Sequence, residues 1–185
     1  MTTVEPPTPF PFFTVGHSTR SLDEFVVLLR SAGVRMVADI RTVPRSRTNP
    51  QFNRDTLPQA LSDFQIGYEH FSALGGLRQA SRTVPPGVNA FWQNQSFHNY
   101  ADYAMSGGFR EGLRQLLDLG HRVPTTIMCA EAVWWRCHRR IIADYLIVAG
   151  ETVFHILAAD RIERASINPA VKHDPESVIT YPAAA

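Results

Sequence analysis

The amino-acid sequence predicts an α/β fold: a single domain with an open, mainly parallel sheet of about five strands and helices on both faces. Short apolar runs alternate along the chain with segments of helical periodicity. Residues 12–40 form a strand–helix–strand unit, and such units place their two strands parallel. The length of 185 residues suits one domain, and 44% hydrophobic with 19% charged residues exclude a disordered chain.

The domain is expected over residues 12–167. A proline-rich arm at residues 1–11 precedes it, and a loose polar tail at residues 168–185 follows. Two cysteines do not make a disulfide scaffold, so a cytoplasmic location is expected. No apolar run approaches the roughly 18 residues that span a bilayer, so no membrane partner is expected. The sequence specifies neither a cofactor nor an oligomeric state.

The first half of the chain divides at clear boundaries. The apolar run Phe12–Gly16 predicts a buried strand, and a capping box from Ser21 to Glu24 begins a helix that ends at Gly33. A second strand covers residues 34–40. Prolines interrupt residues 41–54, which are therefore irregular, and a helix from Asp55 leads to a short third strand at residues 68–71.

The second half begins with a long glycine- and proline-marked loop over residues 74–87. Helices are predicted at residues 97–105, 109–120 and 136–148, and strands at residues 125–130 and 152–157. The expected strand order is 3-2-1-4-5. This order places the topological switch point, where ligands bind in open α/β sheets, between the first and fourth strands.

Chemically active side chains follow the strands nearest that switch point. Burial at a central strand end would raise the pKa of a carboxyl group, and an arginine fork suits phosphate. The candidates for acid–base catalysis are Glu131, His17 and Asp39. The candidates for anion binding are Ser18, Arg41, Arg45 and Arg139. Five of these residues, His17, Asp39, Arg41, Glu131 and Arg139, are expected to line one cavity of about 300–1,000 Å³.

Each candidate also has a structural explanation. His17 and Ser18 would satisfy the turn after the first strand. Asp39 would pair with Arg41, and Glu131 would form a salt bridge with an arginine. The 17 arginines beside a single lysine fit genomic base composition, and a net charge of +1 predicts no bulk attraction to nucleic acid.

Two cysteines and a histidine, Cys129, Cys137 and His138, form a third group. They would make a thiol or metal site, with His17 as a further ligand, but their spacing is not that of a C-x-x-C motif. Packing of both cysteines as small buried hydrophobic side chains is the favoured interpretation, and no metal is expected.

The chain resembles a family named only as domain of unknown function 488, over about residues 12–157. The matching segments are residues 14–18, 39–41, 44, 46–47, 68, 70, 74–76, 129–131, 137–139 and 153–156. Residues 133–135 depart from the family pattern, since two tryptophans stand where small or polar residues are usual, and they would narrow or cover the cleft. The resemblance favours Arg139 as inward-facing and implies no activity.

The leading hypothesis is a cytoplasmic enzyme, a hydrolase or transferase, that acts on a phosphorylated or nucleotide-like small anion. One alternative is a non-catalytic module that binds nucleic acid or a nucleotide. The other alternative is a metal or thiol site at the two cysteines and His138.

Overall fold

The computed structural model describes residues 10–183, so residues 1–9 of the predicted arm lie outside the described residues. Six strands form one sheet in the order β3-β2-β4-β1-β5-β6, and two short strands form a separate hairpin. The strands are β1 Phe12–Gly16, β2 Met36–Asp39, β3 Gly67–His70, β4 Thr125–Cys129, β5 Val153–Ala158, β6 Arg161–Arg164, β7 Lys172–His173 and β8 Ile179–Thr180. The first five strands are parallel, and β6 runs antiparallel to β5. The predicted α/β domain is confirmed.

Helices cover both faces of the sheet. They are α1 Leu22–Ser31, α2 Leu57–Ser62, α3 Gln95–Ala104, α4 Gly107–Gly120 and α5 Arg139–Val148. Side chains of α1 and α2 pack with Phe13 and Met128 on one face, whereas α3, α4 and α5 pack with Phe12 and Ile127 on the other. Consecutive residues along a strand point to opposite faces of the sheet, so each central strand contributes side chains to both hydrophobic cores. No helix within residues 10–183 is long and apolar enough to cross a membrane.

Two boundaries in the sequence show how helix ends are set. The predicted capping box is present: Glu24 N–H donates to Ser21 Oγ, and Ser21 N–H donates to the Glu24 carboxylate at 2.7 Å. The helix predicted from residue 136 begins instead at Arg139, because residues 134–136 form a separate 3₁₀ turn.

The expected strand order 3-2-1-4-5 is wrong, because β4 lies between β2 and β1. Both central strands are buried on both faces, so their patterns do not distinguish which neighbours they take. The prediction that they are adjacent and parallel is confirmed, with Gly16 paired to Cys129. The chain leaves β1 for α1 on one face and leaves β4 for α5 on the other. The switch point therefore stays between these two strands.

The expectation of a loose tail after residue 167 is wrong for the described residues. Ile179 and Tyr181 are fully buried. Tyr181 Oη donates to Asp144 Oδ2 at 2.8 Å, and Tyr181 N–H donates to Asn89 Oδ1 at 2.9 Å. Ile179 N–H also donates to Tyr145 Oη at 3.2 Å, so the tail is docked on α5. The composition of the tail did not predict this packing, because most residues of the β7–β8 hairpin are polar.

Replacing Tyr181 by phenylalanine should lower the free energy of unfolding by about 1–3 kcal/mol, because the buried Asp144 carboxylate loses a donor. Urea unfolding measures this change. Thr180→Val is the matched control, since Thr180 Oγ1 makes only a 3.5 Å contact to Lys172 O. Equal stability of Tyr181→Phe and wild type would contradict docking of the tail.

Candidate functional site

A cleft of about 840 Å³ opens at the carboxyl ends of β1, β2 and β4. Eight of the ten candidate residues line it: His17, Ser18, Arg41, Arg45, Cys129, Glu131, Cys137 and His138. The other two, Asp39 and Arg139, are buried and do not line it. The expected convergence of five residues on one cavity therefore applies to His17, Arg41 and Glu131.

Asp39 and Arg41 form a buried ion pair at the end of β2. Arg41 Nε donates to Asp39 Oδ1 at 2.9 Å and Nη2 donates to Oδ2 at 2.6 Å. Tyr68 Oη also donates to Oδ2, and the Arg41 guanidinium reaches the carbonyl of Phe52. Both Asp39 oxygens are satisfied, so this carboxylate positions Arg41 and is not available to a ligand.

His17 is held by contacts on both ring nitrogens. Arg41 Nη1 can only donate, so His17 Nε2 accepts this hydrogen bond at 3.2 Å. The other nitrogen, Nδ1, then carries the proton and donates to the carbonyl of Ser18 at 2.8 Å. The ring stacks on Phe52 at 4.2 Å, and burial lowers the pKa of His17 to about 4. His17 is therefore a neutral side chain that orients Arg41.

The backbone after β1 is tied to the end of β4. His17 N–H donates to the carbonyl of Cys129, and Ser18 N–H donates to the carbonyl of Ala130. Ser18 adopts a left-handed conformation with φ of 51°, which allows this close approach. These two N–H groups are occupied, so the hydroxyl of Ser18 is the group that it can offer to a ligand.

Arg139 is buried behind the turn at residues 131–132, which forms part of the wall of the cleft. Its side chain is 1% exposed, and Nη2 donates to the carbonyls of Glu131 and Ala132. Its Nε has no partner within the described part of the chain. Gly16 contacts the same turn so closely that a Cβ would lie 1.9 Å from the Glu131 carbonyl oxygen. Arg139 is inward-facing, as expected, but it supports the 131–132 turn instead of facing the cleft.

Glu131 lies at the mouth of the cleft. The expectation that it is buried at a strand end is wrong, because β4 ends at Cys129 and Glu131 is exposed in the turn that follows. Its carboxylate accepts only a long hydrogen bond from Val133 N–H at 3.4 Å, and it forms no salt bridge within residues 10–183. An accessible carboxylate beside a cleft is able to exchange protons with a bound ligand.

Two exposed arginines, Arg45 and Arg136, supply unpaired positive charge to the cleft. Neither guanidinium has a salt bridge or a side-chain hydrogen bond among the described residues. Glu131 is the one acidic side chain among the lining residues. Sequence analysis missed Arg136, because it lies in the 3₁₀ turn that was predicted as the start of a helix.

The loop that carries Arg45 is ordered by its own polar groups. Ser46 N–H donates to Asn53 Oδ1 at 2.6 Å, and Asn49 N–H donates to Ser46 Oγ at 3.0 Å. The amide of Gln51 donates to the carbonyl of Arg20. The segment predicted to be irregular at residues 41–54 thus has an ordered structure and forms one wall of the cleft.

Cys129, Cys137 and His138 come together inside the cleft. Their Sγ and ring nitrogen atoms lie within 4.8 Å of one another, and neither cysteine forms a disulfide. The adjacent thiol of Cys129, with the nearby His138 and Arg139, holds the pKa of Cys137 well below its usual value. The proximity of Cys137 and burial raise the pKa of Cys129.

The two tryptophans at residues 134 and 135 do not line the cleft. Trp134 stacks on His155 of β5 at 4.3 Å, and Trp135 is 47% exposed. The expectation that they narrow or cover the cleft is therefore not met. Gly76, which was not among the candidate residues, lines the cleft beside His138.

Fold and site together define a doubly wound α/β domain with a ligand cleft at its switch point. A family model described as domain of unknown function DUF488 matches residues 21–146. The chain belongs to the DUF488 family, which confirms the resemblance. Searches of curated proteins and of solved structures find no significant match.

Proposed function

We propose that the protein is a cytoplasmic enzyme, a hydrolase or transferase, that acts on a small phosphorylated or nucleotide-like ligand bound in this cleft. The observation that carries the proposal is the charge of the lining: Arg45 and Arg136 are exposed and have no ion-pair partner among residues 10–183, and one carboxylate of the lining opposes them. Guanidinium groups bind phosphate by paired, charge-assisted hydrogen bonds. The cleft volume of about 840 Å³ accommodates a ligand of nucleotide size.

Each residue near the cleft has a distinct role in this proposal. Arg45, Arg136 and the hydroxyl of Ser18 bind the anion. Arg41, fixed by Asp39 and His17, adds a positive charge to the wall. Glu131 exchanges the proton with the ligand or with attacking water, because its carboxylate is the accessible one.

The anion site is tested by titrating the protein calorimetrically with inorganic phosphate, pyrophosphate and AMP. Wild type should bind at least one of them, and a ligand at about a hundred times its Kd should stabilise the fold by about 2.7 kcal/mol. Arg45→Gln and Arg136→Gln should each weaken binding about tenfold or more, since a hydrogen bond to a charged group contributes roughly 1.5–3 kcal/mol.

Arg47→Gln is the matched control. Arg47 is exposed on the same loop as Arg45 but does not line the cleft. The same loss in Arg47→Gln as in Arg45→Gln would reduce the effect to net charge and overturn the anion site, as would no binding by wild type. Arg139→Ala is a poor probe, because it would also release the 131–132 turn. Preference for a polynucleotide, with a steep salt dependence and no turnover, would instead favour the nucleic-acid alternative.

The catalytic part is tested on a panel of phosphate monoesters and nucleotides. For any compound that wild type converts, Glu131→Gln should lose turnover by about 10²–10⁴-fold and keep its Kd, because only proton transfer is removed. Full activity of this variant would exclude Glu131 as the acid–base group.

A further inference from the structure

We propose that Cys129, Cys137 and His138 bind one zinc ion, which lies in the wall of the cleft with a fourth coordination position open to the ligand. The three donor atoms lie within 4.8 Å of one another and all three residues line the cleft. This inference goes beyond the proposed function, because zinc binding depends on residues that the anion site does not use.

The distances match those of a tetrahedral zinc site. Zinc bonds of about 2.3 Å to sulfur and about 2.05 Å to nitrogen, at a tetrahedral angle, place the two donor atoms about 3.6 Å apart. The observed distance from Cys137 Sγ to His138 Nδ1 is 3.6 Å. The two Sγ atoms lie within 4.8 Å of each other. The donor set therefore needs little movement to close around an ion.

The imidazole of His138 is oriented as a metal ligand. A carbonyl can only accept, so His138 Nε2 carries the proton and donates to the carbonyl of Ile40 at 3.1 Å. This leaves the lone pair of Nδ1 directed at the cysteines, the arrangement that fixes the tautomer of metal-bound histidines. The Tyr100 ring packs against the imidazole at 4.8 Å.

Gly76 packs closely against the face of the His138 imidazole. A Cβ at residue 76 would lie 2.5 Å from His138 Nδ1 and 2.7 Å from Cε1. Cγ would lie 2.9 Å away, so the added Cβ would stand over the face of the ring. Glycine at residue 76 therefore lets the chain pack closely on the imidazole, and this contact leaves the in-plane lone pair of Nδ1 free.

The three ligands favour zinc and leave one coordination position of the ion open. Thiolate and imidazole donors suit zinc among the common divalent ions, and sites with three protein ligands keep a fourth position for water or substrate. Zinc with two thiolates is neutral, so the buried positive charge of Arg139 favours an anion in the fourth position. An anion bound to the zinc would then lie in the same cleft as the anion site.

The test is titration of reduced, metal-free protein with Co²⁺ and Zn²⁺, without any anion ligand. We expect one ion per chain, a thiolate-to-cobalt charge-transfer band with the intense visible bands of tetrahedral Co²⁺, and displacement of cobalt by zinc. Cys137→Ser and His138→Gln should weaken zinc binding at least about a hundredfold, beyond the roughly 10–100-fold that changes outside the ligand set cause. His173→Gln, on the exposed β7 strand, is the matched control.

Several results would overturn the proposal: no bound zinc in wild type, equal zinc affinity in wild type and Cys137→Ser, or a Cys129–Cys137 disulfide that forms at the same rate with and without zinc. Circular dichroism of the metal-free variants checks their folding, and Cys129→Ser replaces any variant that unfolds. Arg45→Gln should bind zinc as wild type does. Wild type that binds zinc but none of the tested anions would therefore refute the proposed function alone.

Discussion

Asparagine in place of Asp39 is expected to lower the free energy of unfolding by about 3–5 kcal/mol, since it leaves the buried Arg41 charge without its counterion. Asp39 is fully buried and Arg41 is 6% exposed, so water cannot replace the lost carboxylate. The asparagine amide would also direct a donor at a guanidinium that has only donors. The neighbouring His17 ring, which accepts from Arg41, would lose its orientation as well.

Urea unfolding of Asp39→Asn, followed by tryptophan fluorescence, measures this effect. Tyr68→Phe is the matched control, because it removes one hydrogen bond to the same carboxylate and should cost about 1 kcal/mol. Adding Arg41→Gln to Asp39→Asn should recover part of the loss, since the double variant buries no net charge. If Asp39→Asn costs no more than Tyr68→Phe, the ion pair does not stabilise the end of β2.

Local sequence patterns predicted the elements of this fold but not their order. The apolar runs at residues 12–16 and 125–129 identify central strands, and the Ser21–Glu24 capping box begins α1 at the right residue. Strand order depends on which buried strand lies beside which, and two strands that are buried on both faces carry no information on this choice. The antiparallel strand β6 was missed because its residues are mostly charged and exposed.

The sequence predicted the location of the candidate site better than the roles of its residues. Strand ends near the switch point identified His17, Arg41 and Glu131, which do line one cleft. The sequence did not show that Asp39 and Arg139 lie beneath that cleft as supports, because depth depends on packing between elements.

The approach of Cys137 and His138 to Cys129 had the same limitation. It depends on the 3₁₀ turn at residues 134–136, which brings Cys137 back towards Cys129. The sequence spacings of known metal motifs do not include such a turn. Simple metal motifs place their ligands within one turn, whereas these ligands come from the end of β4 and the start of α5. The favoured interpretation of two packed cysteines followed from the lack of C-x-x-C spacing and from the tendency of free cysteines to pack as small hydrophobic side chains.

Stability should also fall as the pH is lowered from 6.5 to 4, because buried histidines resist protonation. Burial lowers the pKa of both His17 and His155 from 6.5 to about 4. Between these values the unfolded chain binds more protons than the folded one, so the free energy of unfolding decreases as pH decreases. Each histidine contributes at most roughly 3 kcal/mol to this loss, at about 1.36 kcal/mol per pKa unit.

Asp144 acts in the opposite direction over nearly the same range. Burial raises its pKa from 3.8 to about 6, so the folded state binds the extra proton and gains stability as pH falls through this window. Two histidines oppose one carboxyl, and the net change in wild type should be a loss. Urea unfolding at pH 7, 6, 5 and 4 measures it.

Single substitutions separate these contributions. His155→Gln keeps a partner for Thr14 Oγ1 but cannot be protonated, so its stability should fall less steeply with acid than that of wild type. Asp144→Asn removes the opposing group, so its stability should fall more steeply. Because the two variants are expected to deviate in opposite directions, a general acid effect on the surface cannot mimic the result. Parallel curves for wild type and both variants would show that neither buried group controls the acid response.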